Sequence, residues 1–87
     1  MDAHAQLYVR VARLLWAEWD PIGVNDYGGP DDEYNMYVPE IVVMLERNMD
    51  IEEIAKHLSE IATKRMGLFD NREHSLSTAE KLKALMN

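Results

Sequence analysis

Asp50-Ile51-Glu52-Glu53-Ile54-Ala55-Lys56-His57-Leu58-Ser59-Glu60-Ile61-Ala62-Thr63-Lys64-Arg65-Met66-Gly67 carries the clearest helical pattern in the chain. Its apolar residues, Ile51, Ile54, Ala55, Leu58, Ile61 and Ala62, recur at three- and four-residue spacings and share one helical face. On the opposite side Glu52, Lys56, Glu60 and Lys64 form two acid-before-base pairs four residues apart, the order that stabilises a helix. Asp50 followed by Glu53 has the spacing of a capping box, with Asp in place of Ser or Thr. Gly67 stands where a helix ending at Met66 needs a residue tolerant of positive φ.

The same period runs outward in both directions. Downstream, Asp70 and Glu73 repeat the capping spacing and open a helix over 71–86, whose stripe is Leu76, Ala79, Leu82 and Met86. Upstream, Tyr34, Val38, Ile41 and Leu45 line one face, flanked by Tyr37, Val42 and Met44. Pro39 interrupts this pattern, because it lacks an N–H and crowds the preceding turn. The stripe keeps its phase through the proline, which predicts one kinked helix capped by Asp31 and Asp32. The alternative is a separate turn over 33–37 with the regular helix starting near Val38. Further upstream, Leu7, Tyr8, Val11, Leu14 and Leu15 share a face of a helix running from Ala3 to about Glu18, with Val9, Ala12 and Trp16 widening its apolar sector. Asp20-Pro21 closes that helix. Residues 22–30 are rich in turn formers and make a loop of about a dozen residues.

Four amphipathic helices, no strand alternation and no internal repeat give an all-α fold. The chain of 87 residues is expected to be a single domain over 1–87, a small four-helix bundle with a long loop between helices 1 and 2. No apolar run approaches the ~20 residues that span a bilayer, and Met1 to Gln6 does not read as a signal n-region. A soluble, cytoplasmic protein is expected. Cysteine is absent, which removes disulfides, thiolate metal sites and cysteine nucleophiles.

Charge is distributed unevenly. From Leu14 to Glu46 the chain carries eight carboxylates and no Lys, Arg or His, so the formal net charge of -7 arises in this segment. Both tryptophans and three of the four tyrosines lie there too. Nucleic acid and anionic membrane surfaces are disfavoured, because phosphate affinity comes from Lys and Arg. A basic protein partner is favoured, since an acidic surface steers one electrostatically.

The motifs of catalysis are missing. His4, His57 and His74 lie on different elements, and His57, between Glu53 and Glu60, is expected to face solvent away from the apolar stripe. Ser59, Ser75, Ser77 and Thr78 read as helix-surface residues with no visible base to activate them. The loop acids do not follow an EF-hand pattern, and Gly28-Gly29 leads into acids that would repel a phosphate. No enzyme activity, metal site or cofactor is expected.

The candidate partner-binding set is Trp19, Asp20, Asp26, Tyr27, Asp31, Asp32, Glu33 and Tyr37, although Trp19 and the tyrosines are also natural core residues. Met36 and Val43 lie on the back of the second helix. With Trp16 and Val9 they form a candidate dimer patch.

Trp19-Asp20-Pro21-Ile22-Gly23-Val24, followed by an acidic loop and Glu33-Tyr34-Asn35-Met36-Tyr37, resembles a family of short bacterial proteins known only as a domain of unknown function. The resemblance continues through 41–45, 50–66 and 79–82. It implies a compact all-helical fold and brings no catalytic residues. The functional expectation is a non-enzymatic helical module presenting an acidic, aromatic surface to a basic protein, in the manner of an inhibitor or immunity protein. The alternatives are a self-associating structural homodimer and a divalent-ion or small-ligand binding accessory protein.

Overall fold

Each apolar stripe becomes a helix. The computed structural model describes residues 3–20 and 34–86. Helix α1 spans Ala3–Leu14 and widens into a π-helical turn, Leu15–Trp19. Helix α2 spans Val38–Glu46 after a 3₁₀ turn, Asn35–Tyr37. Helix α3 spans Ile51–Glu60 and ends in a second π-helical turn, Ile61–Arg65; α4 spans Arg72–Ala84. Among the described residues there is no strand, so the fold is all-α with four helices. Helix α3 packs along α4, α4 against α1, and α1 against α2. No described helix is long and apolar enough to cross a membrane.

The core is filled from all four helices. Helix α1 contributes Leu7, Val11, Leu15 and Trp19, each four residues from the last and all buried. Val38, Ile41, Val42 and Leu45 enter from α2, and Ile54, Leu58 and Ile61 from α3 and its terminal turn. Burying side chains of this size contributes ~1.5–3 kcal/mol each, so these rows dominate the stability.

Helix α4 differs from its expected stripe. Its buried residues are Ser75, Thr78, Ala79 and Leu82, whereas Leu76 is half-buried and Met86 exposed. The helix is rotated so that small side chains face α3 and the two can lie close. The hydroxyls that this rotation buries are satisfied. Ser59 Oγ donates to Ser75 Oγ at 3.0 Å, and Thr78 Oγ1 donates to the His74 carbonyl at 2.9 Å. No buried side-chain polar atom among the described residues lacks a partner.

The helix ends follow capping chemistry with two corrections. Asp50 accepts the Glu53 N–H at 2.8 Å, and Gly67 has φ +70 after α3, as their places in the sequence predict. At α4, however, the cap is Asn71, which accepts the His74 N–H at 3.2 Å, and not Asp70. An amide oxygen caps as well as a carboxylate, so the helix starts one residue later.

The end of α2 is closed by Asn48 at φ 57. Its N–H bonds the Leu45 carbonyl while Met49 N–H bonds that of Met44, both at 3.0 Å, which is a Schellman arrangement with Asn in the usual Gly position. Lys83 Nζ donates to the Asn48 side chain at 2.9 Å and ties α4 to this turn. The expected ion pairs Glu52–Lys56 and Glu60–Lys64 do not close among the described residues. Pairs of this kind bring little stability against the side-chain freedom that they cost.

The expected kink at Pro39 is also corrected. Pro39 falls in the first turn of α2, just after the 3₁₀ turn, where no N–H is required of it. The regular helix begins at Val38, and its cap residue Tyr37 makes no side-chain cap; Asp31 and Asp32 lie outside the described residues. Pro39 here restricts the unfolded chain without straining the folded one. Pro39→Ala should therefore lower stability by ~0.4–1 kcal/mol, measured by urea unfolding, whereas a kinked helix would be stabilised by the same change.

Candidate protein-binding surface

The acidic segment is anchored at its root. Asp20 ends α1 in the left-handed region, φ 30 and ψ 58, with its N–H on the Leu15 carbonyl at 2.9 Å. Asp tolerates that conformation better than most non-glycine residues. The helix thus closes where Asp20-Pro21 predicts, through a left-handed residue. The Asp20 Oδ1 then accepts the Tyr34 hydroxyl at 2.6 Å, joining the two ends of the link between α1 and α2.

Aromatic packing surrounds this bond. The Trp19 ring centroid lies 5.4 Å from that of Tyr34 and 6.0 Å from that of Tyr37 in an edge-to-face contact, while Trp16 and Tyr34 are 6.2 Å apart. These separations fall within the favourable range for aromatic pairs. Helix α4 holds the same corner, because His74 Nε2 lies 2.6 Å from the Trp19 carbonyl. A carbonyl only accepts, so Nε2 carries the proton.

This geometry sorts the expected binding residues. Trp19 is 2% exposed and Tyr37 8%, so both are core residues and offer no surface to a partner. Asp20 is half-buried, with its carboxylate turned to Tyr34. Asp26, Tyr27, Asp31, Asp32 and Glu33 lie outside the described residues. The cause of the correction is hydrophobic: rings at helical spacing beside a bundle bury more area inward than any solvent-facing rotamer would.

Two acids of the segment meet cations supplied by distant helices. Glu18 receives Lys81 of α4 at 2.8 Å. The hydrogen bond and charge of Lys81 hold the Glu18 carboxyl below its ordinary range. Glu40 of α2 lies 2.9 Å from His57 Nε2 and 3.4 Å from Arg65, both of α3. His57 is therefore half-buried against α2 and does not stand in open solvent beside Glu53 and Glu60. The Arg65 guanidinium also sits 5.8 Å from the Tyr37 ring centroid, a cation–π contact.

The exposed apolar residues divide into separate places. Val9 and Trp16 line a groove of about 240 Å³ with Ala12 and Asn35. Val43, 43% exposed, lines another of about 510 Å³ with Pro39, Met44 and Met49, edged by Glu40 and His57. Met36 is 72% exposed and lines neither. The four-residue dimer patch is thus split, with its α2 half forming the more apolar surface. Phe69, which sequence patterning passed over, is fully exposed beside a cleft of about 420 Å³ lined by Trp19, Asp20, Leu68 and His74. A lone Phe after Gly67 and Leu68 gave no periodic signal that would have singled it out.

No protein-family model, curated protein or solved structure matches the chain.

Two outcomes follow from this corner. Tyr34→Phe removes the donor to a charged acceptor and should cost ~1–3 kcal/mol in urea unfolding followed by tryptophan fluorescence. The folded Glu18 carboxyl is depressed, so the stabilisation from Lys81 is fully present above its ordinary range and fades as pH falls through the lowered value. Unfolding midpoints of the native chain and Glu18→Gln should differ slightly at neutral pH and converge in acid.

Proposed function

We propose that the chain is a cytoplasmic, non-enzymatic helical module that presents an acidic segment, Asp20 to Tyr37, to a basic protein partner. The observation that carries this reading is the Tyr34–Asp20 hydrogen bond of 2.6 Å, which closes the ends of the segment over a buried aromatic cluster. Between those ends stand Asp26, Asp31, Asp32 and Glu33, with no cation among them. Holding together the residues that flank a binding segment limits the arrangements open to it and so lowers the entropic cost of binding. A run of carboxylates with no cation in the intervening sequence raises the association rate with a cationic surface.

Glu18 and Glu40 meet Lys81, His57 and Arg65. They belong to the scaffold, and the recognition charge falls to the four acids of the link. A cationic effector whose own substrate is a polyanion is the partner that such a cluster would mask, the carboxylates standing in for phosphates. An inhibitor or immunity-like role fits that chemistry.

The test is retention of partners from host lysate on the immobilised chain at two salt concentrations. A basic protein held at low salt and released at high salt is expected. The triple change Asp31→Lys, Asp32→Lys and Glu33→Lys should weaken its binding by ~100-fold or more, because juxtaposed like charges cost several kcal/mol. Circular dichroism should be unchanged. Undiminished binding by the triple variant would remove the acidic segment as the site.

A further inference from the structure

The outward face of α2 bears Glu40 and Val43 with the half-buried Met44 beside them, and Met36 in the preceding turn and Arg47 just past the helix extend the same stripe, opposite the buried Val38, Ile41, Val42 and Leu45. Met36 is 72% and Val43 43% exposed, and the adjoining groove of Pro39, Val43, Met44 and Met49 is apolar. An isolated exposed apolar side chain such as Met36 is ordinary, but the contiguous apolar groove of Pro39, Val43, Met44 and Met49, edged by Glu40, has the make-up of an interaction surface. The end charges have opposite sign. Glu40 and Arg47 stand equally far on either side of the point between Val43 and Met44. Both are exposed, and Arg47 makes no ion pair among the described residues.

From this placement we infer that the α2 face binds a second copy of the same chain, as an antiparallel, two-fold symmetric helix pair centred between Val43 and Met44. A two-fold contact is self-complementary, so each residue meets the one equally far beyond the axis. Val43 then meets Met44 of the second copy, and Glu40 meets its Arg47, twice over. The pair of α2 helices brings Met36 and Pro39 toward the turn after the other copy's helix, covering apolar surface that the monomer leaves in water. A parallel pairing would set Glu40 against Glu40 and is disfavoured. Glu40 keeps lone pairs for the new contact, since a carboxylate accepts several hydrogen bonds and this side chain is 43% exposed while bound to His57 and Arg65. A contact built on a nine-residue helix is small, at the low end of interface sizes below ~1,200 Å², so the dimer is weak and salt-sensitive.

This inference does not rest on the acidic segment, and purified chain alone tests it. Sedimentation equilibrium across micromolar to high micromolar concentration should show a monomer–dimer equilibrium. Arg47→Glu places acid against acid at both ends and should weaken association by ~10-fold or more. Val43→Glu should abolish it, while circular dichroism shows both variants folded. The chain has no cysteine, so Val43→Cys gives a single thiol near the axis. On mild oxidation it should cross-link faster than Arg10→Cys, an exposed control on α1. A chain that stays monomeric at every concentration overturns the inference. So does a dimer indifferent to Arg47→Glu whose Val43→Cys form links no faster than the control. Loss of a lysate partner by Val43→Glu in a strictly monomeric chain would assign the face to a foreign protein instead.

Discussion

The hydrogen bond from the Tyr34 hydroxyl to Asp20, set among the rings of Trp16, Trp19 and Tyr37, is the contact that fixes the end of α1 against the approach to α2, and the packing of α4 on α1 is built around it. Helix α1 ends and the approach to α2 begins at this point. Tyr34 is 1% exposed, so its hydroxyl needs a partner within the protein, and Asp20 supplies a charged one. Asp20 can do so because it leaves the helix in a left-handed conformation directly after the buried Trp19. The α4 side chain His74 holds the same turn by donating to the Trp19 carbonyl. One corner therefore fixes the end of α1, the start of α2 and the register of α4.

The opposite side of the molecule is held by different means. Helices α3 and α4 meet through small and hydroxyl-bearing residues, with Ser59 bonded to Ser75 and Thr78 bonded within its own helix. Helix α2 reaches α3 through Glu40, His57 and Arg65 on the surface. The bundle is thus closed by polar contacts where large apolar side chains are few. Exposed pairs of this kind contribute little singly, so they direct the packing more than they stabilise it.

Two segments differ in character. The link between α1 and α2 carries four acids and no cation in its sequence, whereas the outer face of α2 combines apolar side chains with charges of both signs. In the proposed reading the first attracts a cation-rich protein at long range, and the second makes the inferred short-range, self-complementary contact.

The sequence by itself determined the four helices, the core rows of α1, α2 and α3, the Asp50 cap and the Gly67 terminus. Those features depend on residues close along the chain, where helical period and capping chemistry act directly. Tertiary structure decided the rest. The rotation of α4 depended on how closely α3 could approach, and the alignment of Leu76 with Met86 misled because small buried residues carry a weak periodic signal. The fate of Pro39 was set by where the turn after Tyr34 ended. The burial of Trp19 and Tyr37, the pairing of His57 with Glu40 and the isolation of Phe69 all depend on residues many positions away. Spacing along one helix cannot convey which side chains another helix brings, and that is where the division lies between what this sequence states alone and what only its folding reveals.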